Sequence, residues 1–531
     1  MLVISCKAGK DYVRPDMPIP DDYKEANLWK SASPMDNVTK EAWWEVYNDA
    51  LLDELEKEVS ISNQNLAVKE AQFRQARAMV DSATAQLFPT VTLGAAYNRN
   101  RTSGNSSSAA SASSSSATTS SATTSTGTTS GGKTGGTSAG TSTNTTTGSG
   151  TFSGTGKPAG TSSGPTQSTL TNYSVSAALS WELDLWGKVR RTIEANQAGA
   201  EASLADLEAL RLSSQAELAG DYFALRALDA QKQLLNETIK GYEKTLQITK
   251  NRYESGIVGR ADVLNAETQL KTTVAQSIDL GVQRATYEHA IALLMGKPAM
   301  SFTISFMPLS YAIPDTPYSV PSEVLQRRAD IAAAERRMAA ANAQIGVAVA
   351  AYYPSLTLSP SSGFQSGVFA KLFSWPSLVW SLGASLSQTL FDGGYKLAVT
   401  QQARANYDAA VATYRQTVLT AFQEVEDALS SQEILTAELR AQEEAVKAAE
   451  AAEAVAVNQY KAGTIGTLDL IVIQNTALNN RKTAAIIAGR IMSNSVMLIK
   501  ALGGGWDVNL LNYDKLNSDQ LNRQRETLSM T

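Results

Sequence analysis

The sequence contains itself twice. RYESGIVGRADVLNAETQL, from Arg252, and QYKAGTIGTLDLIVIQNTAL, from Gln459, align so that Tyr253, Gly256, Gly259 and Asp262 fall on Tyr460, Gly463, Gly466 and Asp469, each 207 residues later. The same offset carries Gly187 of LDLWGK onto Gly394 of LFDGGYK. Upstream, QLFPTVTL and AYYPSLTL pair through Pro89 and Pro354, 265 residues apart, so the first copy holds 58 extra residues between its proline and its glycine. Copies of this length are too long for a solenoid, whose repeats run about 20–45 residues. Each is a substantial unit with one pattern: helix, strand, loop, strand, very long helix, glycine-containing turn, helix.

The strand segments alternate. In YSVSAALSWELDL, Tyr173, Val175, Ala177, Leu179, Trp181, Leu183 and Leu185 point one way and Ser174, Ser176, Ala178, Ser180, Glu182 and Asp184 the other. Val91, Leu93, Ala95 and Tyr97 form the matching apolar face of the preceding strand, and Trp380, Leu382, Ala384 and Leu386 that of a strand in the second copy. Period 2 over such lengths is a strand signal. A soluble sheet would pack the apolar face on a core. A membrane barrel would turn it to lipid, and about ten residues suffice to cross when tilted. Small polar residues on the other face, and aromatics at Tyr97, Tyr173, Trp181, Trp186 and Trp380, favour the barrel. Four strands cannot close one, since known barrels begin at about 8. Two chains would give 8 strands and three would give 12.

No proline interrupts 188–251 or 396–459, 64 residues each. A helix of that length spans about 96 Å, three times the ~30 Å hydrocarbon core, and both runs are charged throughout. They project into water. Broken heptads run through Leu218, Leu225, Ile239, Leu246 and Tyr253, with Lys232 interrupting, and through Val411, Val418, Val425, Leu439 and Val446, with Gln432 interrupting. Each run ends near a Gly-x-x-Gly turn, Gly256–Gly259 and Gly463–Gly466, where glycine is expected to supply the positive φ of a tight reversal. Asp262 and Asp469 follow each turn, as N-caps of the returning helices or as a ring of carboxylates narrowing a pore.

Composition removes other classes. With 46 Lys and Arg against 51 Asp and Glu, the formal charge is −5, the wrong sign for nucleic-acid binding. One histidine, His289, and one cysteine, Cys6, leave no Cys/His metal cluster and no intramolecular disulfide. His289 lies in a helical context without a nucleophile motif. No nucleophile–base pair or phosphate loop appears, so the chain is not expected to be an enzyme. No run approaches the ~20 consecutive apolar residues of a membrane helix. In MLVISCKAG only five residues precede Cys6, without a basic or fully apolar leader. Cys6 is either a free thiol or the remnant of a lipoprotein cleavage site after Ser5.

In combination these segments resemble the TolC-like outer-membrane efflux factors, in the NodT/OprM lipoprotein branch. CKAGKDYVRPDMPIP is similar to the lipidated N-terminus of that branch, and WWEVYNDALLDELEKEV to its first helices. LDLWGKVRRTIEANQA and LFDGGYK resemble its strand-to-helix junctions, and VPSEVLQRRADIAAAERRMAAANAQIGVAVAAYYPSLTLS its signature before the third strand. The resemblance implies an α+β membrane protein: a homotrimer whose four strands per chain form a 12-stranded outer-membrane β-barrel, continued by a long periplasmic α-helical barrel. It implies an exit duct for a tripartite efflux pump, with a periplasmic adaptor, an inner-membrane transporter of the resistance-nodulation-division (RND) type, and drugs or other small toxic compounds as cargo. A type I protein-secretion channel is the alternative, and a surface adhesin using the Ser/Thr tract is a third. By position Asp262, Tyr460 and Asp469 match the periplasmic gate, while the turns at Gly256, Gly259, Gly463 and Gly466 match the adaptor-contact tip. Ile465 stands where some relatives carry a basic latch, and Arg260 is the candidate substitute. Cys6 becomes the expected lipid-bearing residue of a longer precursor, with no other cofactor and no metal.

The chain is thereby divided into a lipid-anchored segment, 1–40, a first repeat, 41–300, a second repeat, 301–505, and a tail, 506–531. The first repeat holds a β-hairpin over 88–186 and a helical hairpin over 188–296, and the second has its own over 354–391 and 396–502. The insertion falls between the strands of the first hairpin, at 102–172. It is rich in Ser, Thr and Gly, and Lys133 and Lys157 are its only charged residues. It is expected to be a flexible extracellular loop without fixed structure, with O-linked sugars a further possibility.

Overall fold

A computed structural model describes residues 7–15, 42–101, 169–309 and 327–504. Cys6, most of the Ser/Thr-rich insertion and the 506–531 tail lie outside the described residues. The elements run α1 (Ala50–Ser62), α2 (Gln64–Ala85), β1 (Thr90–Arg101), β2 (Thr169–Leu183), α3 (Lys188–Glu254) and α4 (Arg260–Leu294). The second half repeats them as α5 (Ala329–Ala350), β3 (Ser355–Ser366), β4 (Leu378–Ser387), α6 (Tyr395–Ala462) and α7 (Thr467–Ala501).

The repeat copies 41–300 and 301–505 are not the compact units. One unit comprises Met1–Thr90, Ser180–Leu358 and Ala384–Thr531, and the other Val91–Leu179 and Ser359–Gly383. The physical reason is that neither copy can bury its own surfaces. Strands from both copies join one sheet, and α3 of the first copy packs on α5 and α7 of the second.

In the helical unit, the two long helices start from the same device. Asp184 accepts hydrogen bonds from Val189 N (3.1 Å) and Arg190 N (3.0 Å), and Asp392 from Gly394 N (2.9 Å) and Lys396 N (3.1 Å). Each carboxylate satisfies first-turn donors and sits favourably on the helix dipole. α3 has 67 residues and α6 has 68, each close to 100 Å at 1.5 Å per residue. The main core forms where α1 lies on the bundle: Leu52, Leu55 and Val59 meet Leu218, Tyr222 and Leu225 of α3, Ile291 of α4 and Val496 of α7. α7 is long and apolar enough for a membrane helix, yet 56% of its most apolar window is buried within the protein, which makes it a core helix. Of the heptad positions, Leu218, Leu225, Leu246, Val418 and Val425 are buried, whereas Tyr253 is exposed. Gln432, which breaks the second heptad, is buried and receives Asn494 Nδ2 at 2.7 Å.

A charged cluster pins the segment between the repeats. Arg284 Nε donates to Asp229 Oδ1 at 2.8 Å and Met307 N to Asp229 Oδ2 at 3.1 Å. Arg226 donates to Ser305 O at 2.7 Å, and Ile304 N to Glu288 at 2.6 Å.

The second unit is the sheet, in the order β1-β2-β3-β4. Thr92 Oγ1 reaches Ala178 O and Ser174 Oγ reaches Ala96 O, so β1 and β2 run antiparallel with Tyr97 facing Tyr173. The apolar face is bare: Leu93 is 79% exposed, Trp380 75% and Leu382 77%. A soluble sheet would cover it. β1 and β4 are edges. β2 begins at Thr169, so the last residues assigned to the insertion, 169–172, are strand instead.

Candidate functional site: the helical hairpin tips

The two turns that the sequence singled out have one backbone design. At the end of α3, Gly256 N donates to Tyr253 O (2.9 Å) and Ile257 N to Arg252 O (2.8 Å). At the end of α6, Gly463 N donates to Tyr460 O and Thr464 N to Gln459 O, both at 3.0 Å. This is the Schellman closure of a helix, which places its glycine in the left-handed region; Gly256 has φ +72° and Gly463 +81°. The second glycine of each pair does not share that need. Gly259 and Gly466 have φ −79° and −78°, ordinary extended backbone. The positive φ expected of these turns belongs to the first glycine of each pair.

Gly259 and Gly466 are the N-caps, and the aspartates stand three residues inside. Asp262 Oδ2 accepts from Gly259 N at 3.1 Å, and Asp469 Oδ2 from Gly466 N at 3.3 Å. A glycine cap offers no side-chain acceptor, so the carboxylate folding back from the first turn takes over that function. Asp469 remains exposed and Asp262 half-buried.

The tips are tied to each other through Tyr460. Its ring is 2% exposed, among Ile248 of α3 and Ala456, Leu470 and Ile473 of α6 and α7. Its hydroxyl is 2.7 Å from Thr249 Oγ1 and 3.3 Å from Thr467 Oγ1. Arg252 lies over the ring, 4.8 Å from guanidinium carbon to centroid, and donates from Nη1 to the Tyr460 carbonyl at 2.8 Å. A Cβ on Gly463 would stand 3.0 Å from Arg252 Nη2. So α3 grips the turn between α6 and α7 by a cation–π contact and a charge-assisted hydrogen bond. Further along the same seam, Gln269 of α4 and Asn475 of α7 exchange amide hydrogen bonds at 2.5 and 3.1 Å.

Arg260 is exposed and makes no hydrogen bond or ion pair among the described residues; the basic group joining the tips is Arg252. Tyr460 is an internal knot between helices rather than a free side chain. The offset that aligns Tyr253 with Tyr460 aligns Arg252 with Gln459. That break in the repeat was the signal available for Arg252. His289 is exposed on α4. Among the described residues, no group of three His, Cys, Asp or Glu could hold a metal ion.

The model of the family described as outer membrane efflux protein matches residues 134–297 and 320–504. A probable efflux pump outer membrane protein, TtgC of Pseudomonas putida, is 26% identical over 509 residues, covering 94% of this chain and 93% of that one. The solvent efflux pump outer membrane protein SrpC of Pseudomonas putida is 32% identical over 343 residues, covering 64% and 72%. The solved outer-membrane channel OprN superposes with a TM-score of 0.77 at 28% identity, covering 94% of this chain and 100% of that one.

Proposed function

The chain belongs to the outer membrane efflux protein family and is the outer-membrane exit duct of a tripartite efflux pump, and we propose how its own residues close and open that duct. Its fold is a membrane β-barrel, built from four strands per chain, continued by an α-helical barrel. Open sheet edges cannot stand in lipid, and three chains joining β1 to β4 close 12 strands. The trimer gathers six hairpin tips around one axis. Asp262 and Asp469, already caps of their helices, then form an acidic constriction that favours cations.

The observation that carries the gate is the Arg252–Tyr460 knot. It fastens the turn between α6 and α7 to the end of α3, and the duct opens when the two hairpins of a chain part there. The force comes from a periplasmic adaptor, for which Ile257, Leu264, Leu468 and Val472 are exposed apolar contacts around the four turn glycines. An inner-membrane RND transporter supplies the cargo, drugs or other small toxic compounds. Lipid on Cys6 anchors the N-terminus in the outer membrane. The strap that follows supports this reading: Arg191 donates to Ala8 O (2.9 Å) and Gly9 O (3.0 Å), fixing the chain beside the anchor to α3.

Conductance in planar bilayers tests the gate. Arg252→Ala is expected to raise the closed-state conductance several-fold, with Arg252→Lys intermediate because it keeps charge but loses the planar fork. Arg260→Ala is expected to match the parent. Asp262→Asn with Asp469→Asn is expected to weaken cation preference. Parental conductance in Arg252→Ala would sink the knot as the latch, and unchanged selectivity in the aspartate pair would sink the acidic ring.

A further inference from the structure

Four large apolar side chains of the long helices lie bare: Tyr253 of α3 (45% exposed), Val282 of α4 (67%), and Ile434 and Val455 of α6 (62 and 55%). Scattered exposed apolar residues are ordinary on any protein. These four are not scattered, because the internal repeat pairs them. The 207-residue offset runs without a gap through the helical hairpins: α3 and α6 start at 188 and 395, α4 and α7 at 260 and 467, and the latter two end at 294 and 501. A contact from the first repeat to the second within one chain therefore names the residues available for the same contact from the second repeat to the first repeat of another chain.

Two contacts of α3 with the second repeat serve as templates. Ala227 lies against Gly489 of α7, so closely that a Cβ on the glycine would stand 2.5 Å from the alanine Cβ. Moved by the offset, Ala227 becomes Ile434 and Gly489 becomes Val282. Ile248 packs against Tyr460 of α6. The same move gives Val455 and Tyr253. In the templates Ala227, Gly489 and Tyr460 are buried and Ile248 is half-buried, whereas all four counterparts are bare. Alanine and glycine let two helices approach closely. The β-branched pair Ile434 and Val282 suits axes set further apart, within the usual range of about 8–10 Å.

The polar fasteners do not carry over. Arg252 and Thr249, which hold Tyr460, become Gln459 and Ala456. Gln269 and Asn475 become Thr476 and Thr268, whose hydroxyls donate to carbonyls of their own helices, Val472 O at 2.9 Å and Leu264 O at 2.8 Å.

We infer that Ile434 and Val455 of α6 receive Val282 and Tyr253 of a second copy of this chain, and that this seam between chains is apolar where the seam within a chain is knotted. The inference rests on the duct reading, in which the second repeat of one chain meets the first repeat of the next around a closed ring. Six seams then surround the duct, alternately fastened by Arg252 on Tyr460 and closed by apolar contact. The knot is thus a fastener within chains only.

Disulfide trapping tests the register. The full-length chain with Ile434→Cys and Val282→Cys, in a Cys6→Ser background, is extracted in detergent, sized, oxidised mildly and run on a denaturing gel without reductant. It is expected to shift from monomer to dimer and trimer bands, and to return to monomer with reductant. Val455→Cys with Tyr253→Cys is expected to do the same, and keeps the test decisive should the first pair not fold. Each single cysteine should run as monomer. Leu293 is also exposed on α4, eleven residues from Val282 and about 16 Å along the helix. A disulfide spans Cα atoms at most about 7 Å apart, so Ile434→Cys with Leu293→Cys should run as monomer too. Trimer by size with both matched pairs monomeric on the gel, or a Leu293 pair that cross-links as well as the Val282 pair, would overturn the seam and leave these faces to another occupant. Absence of a trimer by size in the unsubstituted chain would overturn the duct reading, and the seam with it.

Discussion

Glu56 sits on α1 with its side chain buried, and among the described residues neither carboxylate oxygen has a hydrogen-bond partner. Burial pushes its pKa up to about 9 from 4.5. The folded state thus holds the acid protonated where the unfolded chain ionises it. The penalty is absent below about pH 4.5, grows as pH rises from there, and is complete above about pH 9. Glu56→Gln is therefore expected to match the parent in thermal midpoint near pH 4 and to exceed it at pH 7, where the difference is roughly 3 kcal/mol. A difference that does not change with pH would contradict burial as the cause. Asp229 is the opposite case, because its oxygens are filled by Arg284, Arg226 and Met307 N. Asp229→Ala removes the carboxylate shared by buried Arg226 and half-buried Arg284, which keeps Glu288, and is expected to cost about 3 kcal/mol, read as a lowered midpoint and faster proteolysis of the 302–309 segment. Neither residue was legible in the sequence. Glu56 looks there like an ordinary polar position of an amphipathic helix, and Asp229 reaches partners 55 and 78 residues away.

At the scale of elements, the sequence was most legible where local rules suffice. Proline-free runs gave the long helices, alternation gave the strands, and the 207-residue offset matched their turns. What it could not separate was the work of two glycines in one motif, since both readings fit Gly-x-x-Gly equally. The structure does separate them, and substitution checks it. Gly463→Ala forces a side chain into the left-handed region and toward Arg252, and is expected to cost about 1–2 kcal/mol locally. Gly466→Ala keeps an extended φ and meets Asp469 Oδ2 at 3.4 Å, an ordinary contact. It is expected to be close to neutral. Hydrogen exchange at the amides of Gly463 and Thr464 would read the difference; equal acceleration by both substitutions would refute the assignment. Arg252 was missed for a related reason. Duplication directs attention to positions that agree between the copies, and the knot uses one that differs.

At the scale of the molecule, the sheet has the clearest logic, since a bare apolar face and two open edges are intolerable in lipid unless copies join. The number of copies was not legible in one chain, because four strands fit two chains or three equally well. The helical part poses a different problem, since a duct must hold shut and still part. Gln269 and Asn475 suggest how this is met. They face each other across α4 and α7 through a reciprocal amide pair, on a seam whose polar contacts water can replace. An apolar seam would hold the hairpins together more firmly and oppose opening. If the hairpins separate during export, joining them at this level must stop it. Gln269→Cys with Asn475→Cys, in a Cys6→Ser background tested separately for export, is expected to lose drug export on mild oxidation and to recover it with reductant. Each single cysteine should export normally under both conditions. Undiminished export by a chain shown to be cross-linked between these positions would mean that the duct opens without parting α4 from α7, and the motion would then have to lie between chains rather than within one.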